Sequence, residues 1–201
     1  MDHTDPQFQR AYSERKNILK AIGNPIAEVA DFCAIVRSKE KDAIYYLTDN
    51  TDQEKEQVFY LLDKYGLEYQ RDELVNILTV CYPDLALYLG QYRFKADMLT
   101  TYFQDYKYQK VINKILPAFE ETVREQAVKR EYNTLLQARS SLVESIDRTG
   151  AQTYFTDAMG VEYLAFIMAK CHEEGLMAKT TVCRCELPSI TSRNKEFWTY
   201  F

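Results

Sequence analysis

The chain has 201 residues, an apolar fraction of 46% and a formal net charge of −5. That apolar content excludes disorder along the whole chain. The acidic balance gives no support to general nucleic-acid binding, which draws on a basic excess, and no run approaches the roughly 18 apolar residues of a membrane-spanning helix.

The start, Met1-Asp2-His3-Thr4-Asp5, lacks the basic and apolar pattern of a secretory leader. The expected compartment is the cytoplasm, and His3 is expected in a mobile tail. Residues 1–116 read as a helical region. Gln7 to Ile22 carries Phe8, Tyr12, Ile18, Leu19 and Ile22 near helical spacing, with Gly23 as its cap. Asn24 and Pro25 suit the start of a second helix bearing Ile26, Val29, Ala30, Cys33 and Val36 on one face. Ala43 to Thr48 reads equally as a short strand or a helical turn. Thr51 and Glu54 have capping-box spacing. They open a helix with Val58, Leu61, Leu62 and Tyr65, ended by Gly66. Short helices are predicted over 73–82 and 84–92, separated by Pro83, and over 98–103 and 106–116.

Pro117 opens what is expected to be the longest element, a connecting helix over 117–149. Val128, Leu135 and Leu142 are heptad-spaced, and Leu136, Val143 and Ile146 widen the stripe. The competing reading of that stripe is a self-associating coiled coil. Residues 150–201 change character. Gln152 to Asp157 reads as a strand, Gly160 to Glu174 as a helix with Gly175 behind it, and Lys179 to Cys185 as a second strand. A strand–helix–strand unit of parallel type follows, with a right-handed crossover.

Open α/β sheets bind ligands at the carboxyl ends of their strands. Asp157 stands at one such end, and the turn Pro188-Ser189-Ile190-Thr191-Ser192-Arg193-Asn194 follows the other. Asp157 offers a carboxylate to a divalent metal, and Thr191 a hydroxyl. A helix starting at Thr191 would point amides at a phosphate, and Asn194, one turn on, is placed to donate to a phosphoryl oxygen. The plain alternative is that Asp157, Thr191 and Ser192 are helix N-caps. The five scattered cysteines read as free thiols in a reducing compartment. Cys183 and Cys185 share a strand face, and His172 belongs to a helix end. The sixteen tyrosines read as half-buried packing with wet hydroxyls, with a tyrosine-rich interface as the alternative.

The run Tyr154-Phe155-Thr156-Asp157-Ala158-Met159-Gly160-Val161-Glu162-Tyr163, followed by Leu187-Pro188-Ser189-Ile190-Thr191-Ser192, resembles the start of a PglZ domain. That family belongs to the alkaline phosphatase superfamily and occurs in BREX phage-defence systems. Arg130-Glu131-Tyr132-Asn133 and Ala138-Arg139-Ser140-Ser141-Leu142 resemble the segment preceding that domain. The resemblance covers roughly residues 117–197. It implies Asp157 as metal ligand, Thr191 as nucleophile and metal ligand, Asn194 as phosphate contact, and a divalent metal such as zinc. Pro188, Thr191 and Asn194 match the Pro-x-x-Thr spacing of related nucleotide pyrophosphatases. The later Asp and His ligands of the superfamily have no counterpart here, so a truncated or N-terminal portion with little hydrolysis of its own is expected.

The expected fold is therefore mainly α, or α+β. It comprises a helical region over 1–116, a connecting helix over 117–149 and an incomplete PglZ-like α/β domain over 150–201, with the first β-α-β unit of an alkaline-phosphatase-like core. Two functions follow. One is a metal-dependent phosphatase or phosphodiesterase acting on a phosphate ester in phage defence. The other is a non-catalytic helical module docking another defence-system protein.

Overall fold

The computed structural model describes residues 1–23, 25–147, 149–154, 156 and 159–185. Those residues are mainly helical. In chain order they form α1 (Phe8–Ile22), α2 (Ile26–Val36), α3 (Asp52–Tyr65), α4 (Arg71–Cys81), α5 (Pro83–Leu89), α6 (Asp97–Val111), α7 (Pro117–Lys129), α8 (Tyr132–Leu135), α9 (Arg139–Ser145) and α10 (Leu164–Glu173). The chain divides into two compact units. The first comprises Met1–Gln91 and Phe103–Leu116, the second Tyr92–Tyr102 and Pro117–Phe201.

The first unit is built around an apolar core. Ile44, Leu47, Leu61, Leu62, Leu74, Leu78 and Ile112 are fully enclosed. Each such side chain contributes roughly 1.5–3 kcal/mol through removal from water. The connection from α2 to α3 is a 3₁₀ stretch, Arg37–Tyr46, interrupted at Glu40 by a positive φ of 53°. It decides the ambiguous Ala43–Thr48 segment in favour of helical turns and buries Ala43 and Ile44. Gly23 ends α1 with a φ of 83°, the conformation a glycine adopts at least cost. Gly66 is needed for a different reason. Its φ is −55°, but a methyl added there would lie 2.6 Å from the Cβ of Ile112, so the end of α6 packs where only a glycine fits.

Tyrosine hydroxyls seal carbonyls of the connecting segments in this unit. Tyr12 donates to the carbonyl of Leu47 (2.8 Å), Tyr69 to that of Lys41 (2.5 Å) and Tyr108 to that of Gly66 (3.1 Å). Tyr46 donates to the carbonyl of Met1, and His3 stacks on Tyr45 with ring centroids 4.2 Å apart. His3 is therefore docked rather than in a mobile tail.

The second unit departs further from expectation. The unbroken helix over 118–147 is three helices, α7, α8 and α9. Arg130 has a φ of 52°, and Leu136 is extended at φ −120°, ψ 135°. The physical reason is lack of packing. Val128 is 84% exposed and Leu135 45% exposed, so the heptad stripe has no partner face to hold a long helix together. The strands expected at 152–157 and 179–185 do not form among the described residues. Residues 179–185 instead make one parallel bridge, Ala138 to Arg184. Arg184 N–H donates to the Gln137 carbonyl (3.0 Å) and Arg139 N–H to that of Arg184 (3.2 Å). A bridge of two bonds is far below the three-stranded minimum of a stable sheet, and the β-α-β unit is not seen among the described residues. In the opposite direction, α6 is one helix where two were expected, because no Gly or Pro interrupts residues 97–111.

α10 forms where predicted. Gly175 ends it at a φ of 70°. The Leu176 N–H donates to the carbonyl of Cys171 (2.7 Å) and the Gly175 N–H to that of His172 (3.0 Å). These are the paired bonds of a Schellman cap. No described helix is long and apolar enough to cross a membrane.

Candidate functional site: a cationic cavity in the second unit

Two polar constellations stand out, one in each unit. The first is buried. Thr51 is the N-cap of α3 and accepts from the Glu54 N–H (3.3 Å). Glu54 then turns its carboxylate inward. It accepts from the Thr48 N–H (3.1 Å), the Thr48 hydroxyl (2.8 Å) and the Thr51 hydroxyl (3.1 Å), and pairs with the Arg15 guanidinium at 2.9 Å. Arg15 also lies over the Phe32 ring, 3.7 Å from its centroid. The capping-box spacing of Thr51 and Glu54 thus becomes a clamp fixing α1 against the start of α3. The Glu54 side chain is wholly enclosed and its oxygens are occupied, so its role is structural. Nearby, Gln57 accepts from Arg37 Nε at 2.6 Å. Burial pushes the Cys33 thiol up, and burial pushes that of Cys81 up to about 12. Both therefore stay protonated and unreactive.

The second constellation is open. In the second unit, residues 92–96, Leu99, residues 135–137 and residues 179–182 wall a cavity of about 480 Å³. The segment Tyr92-Arg93-Phe94-Lys95 alternates, with Tyr92 and Phe94 half-buried and Arg93 and Lys95 exposed. The two rings meet edge to face at 4.9 Å. The Phe94 N–H donates to the Thr100 hydroxyl (3.0 Å), which anchors the segment to the first turn of α6. Across the cavity, the hydroxyls of Tyr92 and Thr180 are hydrogen-bonded at 2.7 Å. Lys179, Thr181 and Gln137 complete the polar lining, while Leu99, Leu135, Leu136 and Val182 supply apolar surface.

The charge of that lining opposes that of the chain. Acids outnumber bases 30 to 25 over the whole sequence, yet the lining holds Arg93, Lys95 and Lys179 and no described carboxylate. Like charges placed together without a counter-charge repel one another unless an anion compensates them. Such a site suits an anionic ligand with an apolar body.

Asp157, Thr191 and Asn194 all lie outside the described residues, as do Phe155, Ala158 and Pro188. Around Asp157, Tyr154 is exposed and its hydroxyl donates to Gln152 Oε1 at 2.8 Å. Glu162 folds its carboxylate back over Gly160 at the start of a 3₁₀ turn, Val161–Tyr163, that leads into α10. His172 is exposed in the last turn of α10. Cys183 and Cys185 lie beside the Ala138–Arg184 bridge. Burial raises the Cys183 thiol most, Arg139 pulls it down and Cys185 pushes it up. Among the described residues no three His, Cys, Asp or Glu side chains come together to hold a metal ion.

The sequence reading missed Arg93, Lys95 and Lys179. A signal was present in the segment Tyr92-Arg93-Phe94-Lys95, which sets two cations beside two aromatics. Nothing in the sequence brings Lys179 to them.

Compared with known proteins, residues 1–65 match the model of a family described as "Domain of unknown function (DUF7863)". That span ends with α3 and holds every member of the Glu54 clamp. No curated protein and no solved structure matches the chain.

Proposed function

We propose that this chain binds phosphate esters as a PglZ-like protein of bacterial phage defence, with little hydrolysis of its own. The carrying observation is the cationic cavity: Arg93, Lys95 and Lys179 line it with no described carboxylate, in the unit that also bears the PglZ-like motif. Three cations and the Thr181 hydroxyl supply the charge-assisted donors that a phosphoryl group accepts. The formation of α10 directly behind the Asp157–Gly160 segment fits the order of elements that the resemblance implies.

In this reading Thr191 is the nucleophile, Asn194 contacts the phosphate, and Asp157 and Thr191 hold a divalent metal such as zinc. The metal would lower the pKa of the hydroxyl and stabilise the transferring phosphoryl group. The β-α-β unit of an alkaline-phosphatase-like core belongs to the same reading, as do a cytoplasmic location and other BREX proteins as partners. The described residues contribute binding: they attract the anion and hold its body. The test is metal-dependent hydrolysis of an aryl phosphate by the protein as its cells produce it. Thr191→Ala is expected to abolish the reaction, and full activity in that variant would overturn the assignment of Thr191.

A second reading is a non-catalytic helical module that docks another defence-system protein. Exposed Ile18 and Ile22 on α1 and Ile26 and Ile35 on α2 favour it. Aspartate at Ile18 and Ile22 would be expected to abolish co-purification with a protein of the same defence system. An undiminished complex would remove that face from consideration.

A further inference from the structure

The cavity also bears on what kind of phosphate ester it takes. We infer that it binds a phosphomonoester with an aromatic or otherwise apolar body, held without any metal, with the phosphate at Arg93, Lys95 and Lys179 and the body against Phe94, Leu136 and Val182. This rests on the phosphate-ester reading for the chemistry of the head group, and on the cavity alone for everything else.

Size is the first argument. The space, about 480 Å³, is several times larger than a phosphate ion needs. It falls within the range typical of small-molecule sites. Inorganic phosphate would leave the apolar wall wet and unused. The character of that wall is the second. Phe94 is half-buried and already in edge contact with Tyr92, so one face of the pair is fixed before a ligand arrives. Leu99 and Val182 extend the same surface. A planar body laid there would gain burial and ring contact together.

Charge is the third. Three cations suit a dianion better than a single carboxylate, because each added positive group is compensated by formal charge as well as by hydrogen bonds. None of the three has a carboxylate partner among the described residues. The hydroxyl pair Tyr92–Thr180 spans the lining and fixes residue 180 opposite the 92–95 segment. The cavity is therefore partly pre-organised, which reduces the ordering that a ligand must impose.

The experiment is calorimetric titration of the full chain with phenyl phosphate, inorganic phosphate and benzoate, in EDTA. Phenyl phosphate is expected to saturate with a Kd at or below about 1 mM. Inorganic phosphate and benzoate should each bind at least about tenfold more weakly, since each lacks one half of the match. The triple variant R93Q/K95Q/K179Q should lose at least about tenfold, as should wild type when salt is raised to screen the exposed cations. All three side chains are exposed, so the variant should keep its helical circular dichroism. Absence of saturation, equal affinity for benzoate or for inorganic phosphate, or an unchanged triple variant would each overturn the inference. Failure of the hydrolytic assignment reads differently: Thr191→Ala would then hydrolyse as wild type does, while metal-free binding of phenyl phosphate stands untouched.

Discussion

In the first unit α1 to α5 close over Ile44, Leu47, Leu61, Leu62, Leu74 and Leu78, whereas in the second only Leu99 and Val143 are buried among the described apolar residues. The two units were made from similar raw material, with apolar residues at helical spacing in both. What separates them is whether the apolar stripes meet one another. In the first unit much of the apolar surface is enclosed, although Ile18, Ile22, Ile26 and Ile35 stay exposed, and even a carboxylate is buried because four donors surround it. In the second, Val128 and Leu135 point into water, and the helix that should have carried them breaks at Arg130. Regular spacing in a sequence specifies a helix face; only a partner face makes a long helix out of it.

The sharpest way to break this contrast is to attack the enclosed clamp. Glu54→Ala leaves Arg15 and the Thr48 N–H without their acceptor. It should cost about 3 kcal/mol in urea unfolding, the lower end for a buried pair because Arg15 is partly exposed. A loss below about 1 kcal/mol would mean that water replaces the carboxylate, and that the first unit is less dry than its burial indicates. Leu78→Ala removes a fully buried side chain and should cost about 2–5 kcal/mol. The matching change in the second unit, Leu135→Ala, should cost no more than about 0.5 kcal/mol. Equal costs would erase the contrast.

Gly66→Ala comes next. Its added methyl meets Ile112 at 2.6 Å. About 1–3 kcal/mol of overpacking is expected. A neutral outcome would show that the end of α6 can shift away from residue 66. Alkaline stability gives a smaller and graded effect. Burial raises the Cys81 thiol in the fold from its ordinary value of 9.0 to about 12. Between those values the unfolded chain has lost the proton and the folded one has kept it. Stability from this group is therefore full below pH 9 and falls as pH climbs towards 12. The slope is at most about 1.4 kcal/mol per pH unit. Cys81→Ala should flatten that fall in a pH series of thermal melts, and an unchanged slope would assign it to other groups. The smallest effect concerns thiol labelling in native conditions. Cys185 is exposed and should react at once, whereas Cys33 and Cys81 are buried and should react only as the first unit opens. Simultaneous labelling of all three would mean that the first unit opens as readily as the second.

The first unit was largely legible in the sequence. The α1 and α2 helices, the Thr51 cap, the Pro83 junction and the helices around it follow from local signals, each a matter of a few neighbouring residues, but of the expected α1 and α2 faces Ile18, Ile22, Ile26 and Ala30 are exposed. The clamp was half legible: Thr51 and Glu54 showed their spacing, but Arg15 and Thr48 come from elsewhere in the chain. Gly66 was identified for the right place and the wrong cause, since its need arises from Ile112 far along the sequence. The second unit was less legible because its elements depend on long-range pairing. Residues 179–185 have strand composition, yet they meet residues 137–139 through a single bridge. The cationic cavity is the clearest case. Its walls come from three separated segments, and no local pattern announces that Lys179 joins Arg93 and Lys95. Asp157, Thr191 and Asn194 lie outside the described residues, so the sequence alone carries their assignment.

The tyrosine hydroxyls of the first unit bear on how the protein can be redesigned. Tyrosine and phenylalanine differ by one oxygen, and a scheme that ranks core residues by oiliness would prefer phenylalanine at most of the sixteen tyrosine positions. At Tyr12, Tyr69 and Tyr108 that exchange would strip the donor from the carbonyls of Leu47, Lys41 and Gly66. Each of those carbonyls lies in a connecting segment, outside the α-helical ladders, so the phenol fills the place that a helical N–H would otherwise take. A greasier version of this chain would then be a looser one, failing first at its turns while its helices stayed intact.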